Sequence, residues 1–96
     1  MVERIMLLKL NSEAERAELA KSVRDALIAL DGVDEVSVGL PADAASAKSW
    51  DVSVVMLFVS EASQAITMAS QGFTDLMARI GPQTQVVKAW SFERLG

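Results

Sequence analysis

Hydrophobic and polar positions alternate at the start of the chain, then recur at helical spacing, and this sequence of periods is traversed twice. Glu3 to Leu10 places Arg4, Met6, Leu8 and Leu10 on one face of an extended segment and Ile5, Leu7 and Lys9 on the other. Both faces are largely apolar, which predicts a strand covered on both sides. At Ser12 the period changes. Ser12 followed by Glu15 has the form of a capping box, in which each side chain bonds the other's free backbone N–H, and predicts a helix start. Leu19, Val23, Ala26, Leu27 and Leu30 then fall on one helical stripe, with most charged residues off it, so the helix packs one face on a sheet. Asp31-Gly32 ends it, because glycine takes the left-handed conformation that closes a helix C-terminus.

Val33, Val36, Val38 and Leu40 supply a second, more polar strand, which Pro41 terminates. Residues 42–49 (ADAASAKS) have a loop composition with room for one short alanine-rich helical turn. Trp50 to Val59 (WDVSVVMLFV) is rich in β-branched and aromatic residues and nearly continuous in hydrophobicity, which predicts a central strand. Ser60 offers an N-cap. Ala62, Ala65, Ile66 and Ala69, then Phe73, Leu76, Met77 and Ile80, give helical spacing with an expected interruption at Gly72 and a stop at Gly81-Pro82. Gln85 to Phe92 reads as the last strand.

The resulting order, βαββαβ over residues 1–96 as one domain, is an α+β arrangement of the ferredoxin-like kind: a four-stranded antiparallel sheet with helices on one face. Such a sheet leaves its other face bare. That face is expected to carry Ile5, Leu7, Val55 and Leu57, with Val87 and Ala89 from the last strand, and Lys9, which must reach the rim or find a carboxylate such as Asp51. Contiguous apolar faces of this size are rare on monomers. Packing two of them together removes apolar area from water at roughly 25 cal/mol per Å², which predicts a homodimer.

Composition narrows the chemistry. The 96 residues include no cysteine, no histidine and no tyrosine. Thiolate nucleophiles, cysteine-bound metals, imidazole bases and ligands, and phenolic acids are therefore all missing from the catalytic inventory. No cofactor is expected, and no metal: Asp31, Asp34 and Glu35 cluster near a helix end without the loop spacing of a cation site. The net charge is −4, with basic and acidic residues interspersed, so nucleic acid is not an expected partner. No apolar run approaches the roughly 20 residues of a membrane span, and the N-terminus lacks signal-peptide character. A soluble cytoplasmic protein is expected.

The opening strand RIMLLKL, the helix leading to Leu30-Asp31-Gly32-Val33, the segment Val36-Ser37-Val38-Gly39, and Ser49-Trp50-Asp51-Val52 running into Phe58-Val59-Ser60 resemble the stress-responsive A/B barrel (Dabb) family over nearly the whole chain. The resemblance implies a dimeric α+β barrel, two ferredoxin-like sheets face to face. It also implies a pocket between sheet and helices, which one cyclase relative uses with a tyrosine and a histidine. Where the family often has a histidine in the first strand, this chain has Arg4. Where it often has His-Pro-x-His, this chain has Ser70-Gln71-Gly72-Phe73, with Phe73 at the place of the catalytic histidine. Histidine-dependent cyclisation is thereby contradicted, and no catalytic residue is assigned.

The candidate ligand cleft is Arg4, Met6, Leu8, Trp50, Met56 and Phe73. A guanidinium beside an apolar cleft is a natural anchor for a carboxylate or phenolate, and an indole offers a flat surface with one donor. The competing reading of each is structural: Arg4 snorkels to solvent or pairs with Glu3 or Glu93, Trp50 caps a core strand, and the methionines fill core gaps. Two functions follow, a homodimer of undefined activity that binds a small apolar or aromatic ligand, and a cofactor-independent cyclase- or monooxygenase-like enzyme. A purely structural or protein-binding role forms a third class.

Overall fold

The computed structural model describes residues 1–96. Its four strands are β1 (Val2–Leu10), β2 (Glu35–Gly39), β3 (Val52–Phe58) and β4 (Thr84–Glu93), and its four α-helices are α1 (Arg16–Ile28), α2 (Ala44–Ser49), α3 (Glu61–Met68) and α4 (Gln71–Ile80). The strands pair antiparallel in the order β2-β3-β1-β4. The two most hydrophobic segments therefore hold the centre, and the more polar β2 takes an edge. This is the βαββαβ sheet expected from the pattern, with α2 inserted between β2 and β3. No helix is long and apolar enough to cross a membrane.

The core forms where the even-numbered residues of β1 and β3 meet the helices. Val2, Met6, Leu8 and Leu10 with Val52, Val54, Met56 and Phe58 pack under Leu19, Ala20, Val23 and Leu27 of α1 and Leu76 and Ile80 of α4. Three helices begin in the same way. Asp43, Ser60 and Ser70 each sit in extended backbone and accept, through a side-chain oxygen, the N–H of the residue three positions on, at 2.7, 3.1 and 3.3 Å. Caps of this kind are worth about 1 kcal/mol each.

Ser12 does not cap through its side chain. A 3-10 turn at Glu13–Glu15 follows it, and α1 proper starts at Arg16. Gly32 takes φ +89° in the turn after α1, where a Cβ would lie 2.7 Å from Thr67 Oγ1. The break in the second helical region falls at Ala69-Ser70, just before the glycine that the sequence pointed to, because Ser70 supplies a cap. Gly72 lies inside α4, where its missing Cβ lets Leu30 Cδ2 approach.

Two face assignments differ from expectation. In α3 the apolar stripe Ala62, Ala65, Ile66 and Ala69 faces away from the core and is exposed, Ile66 by 74%. The side facing the fold carries Met68, packed against the core, and the hydroxyls of Ser63 and Thr67. Thr67 is buried and its Oγ1 donates to Asp31 O at 3.0 Å, and Ser63 Oγ donates to Gly32 O at 3.4 Å. The turn's carbonyls need donors more than the core needs another alanine stripe. In β4, Val87 and Ala89 pair with Leu8 and Met6 and so lie on the helix side, while Val86, Lys88, Trp90 and Phe92 lie on the open side. Directly paired residues share a face, so this parity is set by the β1–β4 register, which shifts between Lys9 and Leu10.

Candidate functional site

On the helix side of the sheet, Arg4 sits in a row with Met56 of β3 and Ser91 of β4. Its Nη1 donates to Ser91 Oγ at 3.1 Å, and Ser91 Oγ in turn donates to Gln64 Oε1 of α3 at 3.0 Å. The Nε is buried and has no hydrogen-bond partner. Neither carboxylate offered by the sequence takes Arg4: Glu3 pairs with Arg94 at 3.2 Å, and Glu93 pairs with the N-terminal amine at 3.4 Å. Arg4 is thus a cation on the helix-facing surface of the sheet whose only side-chain partner is a neutral hydroxyl.

The other members of the candidate cleft separate into two groups. Met6, Leu8 and Met56 are core residues, 5%, 0% and 0% exposed, and half-buried Phe73 packs against the same cluster. Only Arg4 among these keeps a polar group free for a ligand. Trp50 lies elsewhere. It precedes Val52, which pairs with Leu8, so it is six residues along the β3 segment from Met56, about 20 Å at strand rise. Trp50 helps line a 540 Å³ cavity on the open side, with Leu7, Gly39, Leu40, Pro41, Ala45 and Ser53. A second cavity of 220 Å³ on that side is bounded by Glu3, Glu35, Ser37, Val55, Leu57 and Arg94. A residue just before a strand can turn its side chain to either face, so the alternation of β3 does not fix that of Trp50.

Asp51, beside Trp50, forms the best-connected polar cluster in the molecule. Its side chain is fully buried; Oδ2 accepts the Leu10 N–H at 2.7 Å and lies 3.7 Å from Lys9 Nζ, while Oδ1 accepts Arg16 Nε at 2.8 Å and lies 2.7 Å from Arg16 Nη2. Burial works against the charge on Asp51. The Leu10 amide and the Arg16 guanidinium, helped by Lys9, outweigh it and hold the carboxyl below the ordinary carboxylate range. The pairing of Lys9 with Asp51 was legible from face and distance along the chain; the larger share taken by Arg16 was not, because nothing in the sequence marks the first residue of α1 as its partner. Arg16 Nη2 and Lys9 Nζ also donate to the carbonyls of Ala47 and Lys48, each at 3.5 Å, so the cluster ties α2 to the sheet above the 540 Å³ cavity. No group of three or more acidic residues is placed to hold a metal ion.

No family model matches the chain, and no curated protein matches it. Solved structures do. A Dabb family protein with a ferredoxin-like fold from Mesorhizobium loti has a TM-score of 0.83 at 13% identity, covering 99% of this chain and 97% of that one. A dimeric protein of unknown function and ferredoxin-like fold from Bacteroides fragilis has a TM-score of 0.78 at 14% identity, covering 97% and 95%. An antibiotic biosynthesis monooxygenase has a TM-score of 0.76 at 14% identity, covering the whole of both chains. At these identities the likeness is one of fold, and the chain has the ferredoxin-like α+β architecture of the Dabb and antibiotic biosynthesis monooxygenase structures.

Proposed function

We propose that this chain works as a homodimer of the stress-responsive A/B barrel type, two sheets packed face to face as a dimeric α+β barrel. The observation that carries this reading is the open face itself. Ile5, Leu7, Val55, Leu57, Val86, Trp90 and Phe92 all lie on the side away from α1 and α4, and Trp90 and Phe92 are 47% and 55% exposed. Lys9 and Glu3 lie on the same side and are each matched within the chain, by Asp51 and Arg94. Glu35 and Lys88 lie at the two edges of the same side, so the middle of the face is apolar with its charges answered, which favours burial against a second copy. A solved structure of the same fold is described as dimeric. Multi-angle light scattering over a dilution series tests it: a mass of twice the 10.3 kDa chain is expected, and a mass of one chain at micromolar concentration defeats the reading.

The activity we propose for this dimer is binding a small apolar or aromatic acid between helices and sheet, with Arg4 as the anchor. The buried, unpartnered Nε of Arg4 supports it, since a guanidinium gives its strongest bonds to a carboxylate. Benzoate and naphthoate as probes should raise the melting temperature of the protein and not that of an Arg4→Ala variant. An equal shift in both removes Arg4 as the anchor. A cofactor-independent cyclase- or monooxygenase-like reaction is the alternative; turnover of a bound aromatic substrate without added cofactor would favour it.

A further inference from the structure

The 540 Å³ cavity on the open side has a floor and a wall of different origin. Its floor is one row across the sheet, Gly39 of β2, Ser53 of β3 and Leu7 of β1, which are directly paired and so share a face. A Cβ at Gly39 would lie 2.8 Å from Ser53 Oγ, so the glycine is what makes room for that hydroxyl on the floor. The wall is the connection from β2 to β3, where Leu40, Pro41, Ala42, Ala45 and Ser49 lead to half-buried Trp50.

The wall is held open by polar bonds. α2 contributes no buried residue to the core. Asp43 caps it by accepting the Ser46 N–H at 2.7 Å, and Arg16 and Lys9, both bound to Asp51, donate to the carbonyls of Ala47 and Lys48. A helix fixed by its cap and its carbonyls keeps Ala45 and Ser49 at the cavity without large side chains to fill it. The volume falls within the roughly 300–1,000 Å³ of small-molecule sites.

The chemistry of the lining selects what fits. Asp51 is its only ionisable residue, and both carboxylate oxygens are already taken by the Leu10 N–H, Arg16 and Lys9. An anion finds no cation here, and a cation finds a carboxylate already matched, so burial of either charge goes uncompensated. What remains is apolar surface from Leu7, Leu40, Pro41 and Trp50, together with the Ser53 hydroxyl. The hydrogen bonds about the cavity are made by Asp43, Asp51, Arg16 and Lys9, and Ser53 Oγ takes part in none of them. A hydroxyl both donates and accepts, which suits another hydroxyl.

We infer that this cavity is a second ligand site, on the opposite side of the sheet from Arg4, and that it takes a neutral hydroxylated aromatic molecule. The ring lies on the Gly39-Ser53-Leu7 floor against the α2 wall, and the ligand hydroxyl bonds Ser53. The two sites then divide their ligands by charge, acids at the guanidinium and neutral phenols in the cavity.

Isothermal titration calorimetry near neutral pH with 2-naphthol, uncharged there, and with anionic 2-naphthoate tests the assignment. The unaltered chain and Arg4→Ala should bind 2-naphthol equally. Ala45→Phe, which puts a ring into the cavity from an exposed position of α2, should weaken 2-naphthol binding at least about tenfold, and Ser53→Ala should weaken it about two- to tenfold, the worth of one neutral hydrogen bond. Neither substitution touches the core, and urea midpoints beside that of the unaltered chain check the fold. Three results each overturn the inference: no 2-naphthol binding by the unaltered chain, binding that Ala45→Phe leaves intact, or binding lost in Arg4→Ala. Weakening of 2-naphthoate binding by Ala45→Phe puts anions in the cavity and overturns the selectivity for neutral ligands. Equal 2-naphthoate binding by the unaltered chain and Arg4→Ala removes Arg4 as an anchor and leaves the cavity site standing. A second copy that fills the cavity abolishes 2-naphthol binding while the mass in solution stays that of two chains, so the homodimer reading survives and the ligand site does not.

Discussion

Arg16 Nη2 lies 2.7 Å from Asp51 Oδ1, joining the first residue of α1 to the residue before β3 across 35 positions of sequence. Asp51 is fully buried and Arg16 is 22% exposed, so the pair belongs with buried rather than surface ion pairs. Removing Asp51 leaves Arg16, Lys9 and the Leu10 N–H without their acceptor. Asp51→Ala should cost about 3 to 5 kcal/mol, and Asp51→Asn less, since the amide oxygen still accepts one bond. Urea unfolding of the two variants beside the unaltered chain measures both. A loss under 1 kcal/mol for Asp51→Ala would show that Arg16 and Lys9 find water instead.

The same carboxylate sets the acid limit of the fold. Its folded pKa lies below its unfolded value, so its contribution is complete above the ordinary carboxylate range and is lost as pH falls through the folded value. Asp43, lowered by the Ser46 amide it accepts, acts in the same direction from an exposed position. The urea midpoint should therefore fall below about pH 4, the unfolded carboxylate value. Asp51→Asn should flatten part of that fall, and an unchanged pH profile in this variant would remove Asp51 from the acid transition.

Gly32 and Gly81 give a matched pair of glycine tests. Gly32 stands at φ +89° with Thr67 Oγ1 2.7 Å from where a Cβ would be, whereas Gly81 is helical at φ −49° with nothing within 4 Å. Gly32→Ala should cost about 1 to 2 kcal/mol from the left-handed conformation alone, lowering the melting temperature by roughly 4 to 8 °C per kcal/mol in a domain of this size. Gly81→Ala should be neutral or stabilise by up to about 1 kcal/mol. Differential scanning calorimetry of the two variants decides it, and equal melting temperatures would contradict the stated geometry.

The alternation of β1, the apolar run of β3 and the helical stripe of α1 were legible because each element meets the core along a single, uninterrupted period. The covered side of β1 and the pairing of Lys9 with Asp51 followed from that alternation. What sequence periodicity does not carry is parity between elements. Whether Val87 or Val86 faces the helices depends on the β1–β4 register and its irregularity at Lys9, and both residues are valines in an apolar run. Whether Trp50 faces the core depends on the backbone just before β3, where alternation has not begun. The candidate cleft failed to converge for that reason. Met6, Leu8 and Met56 of the strands and Phe73 of α4 meet at the core, whereas Trp50, outside any element, lines the cavity on the open side.

The orientation of α3 is the departure with the clearest experimental consequence. Its apolar stripe reads as a core face by every spacing rule, yet Ile66 is 74% exposed while its neighbour Thr67 is 2% exposed and bonds Asp31 O. A buried isoleucine replaced by glutamine would lose several kcal/mol through burial of an unmatched amide and lost packing. In the observed orientation Ile66→Gln should change stability by no more than about 0.5 kcal/mol. Thr67→Val, which keeps the shape and removes the hydroxyl donor, should cost about 1 to 3 kcal/mol, because the Asp31 carbonyl loses its partner in a site closed to water. Urea unfolding of both variants therefore ranks them oppositely for the two orientations: Thr67→Val is the more damaging if α3 turns its polar side inward, and Ile66→Gln is if it does not.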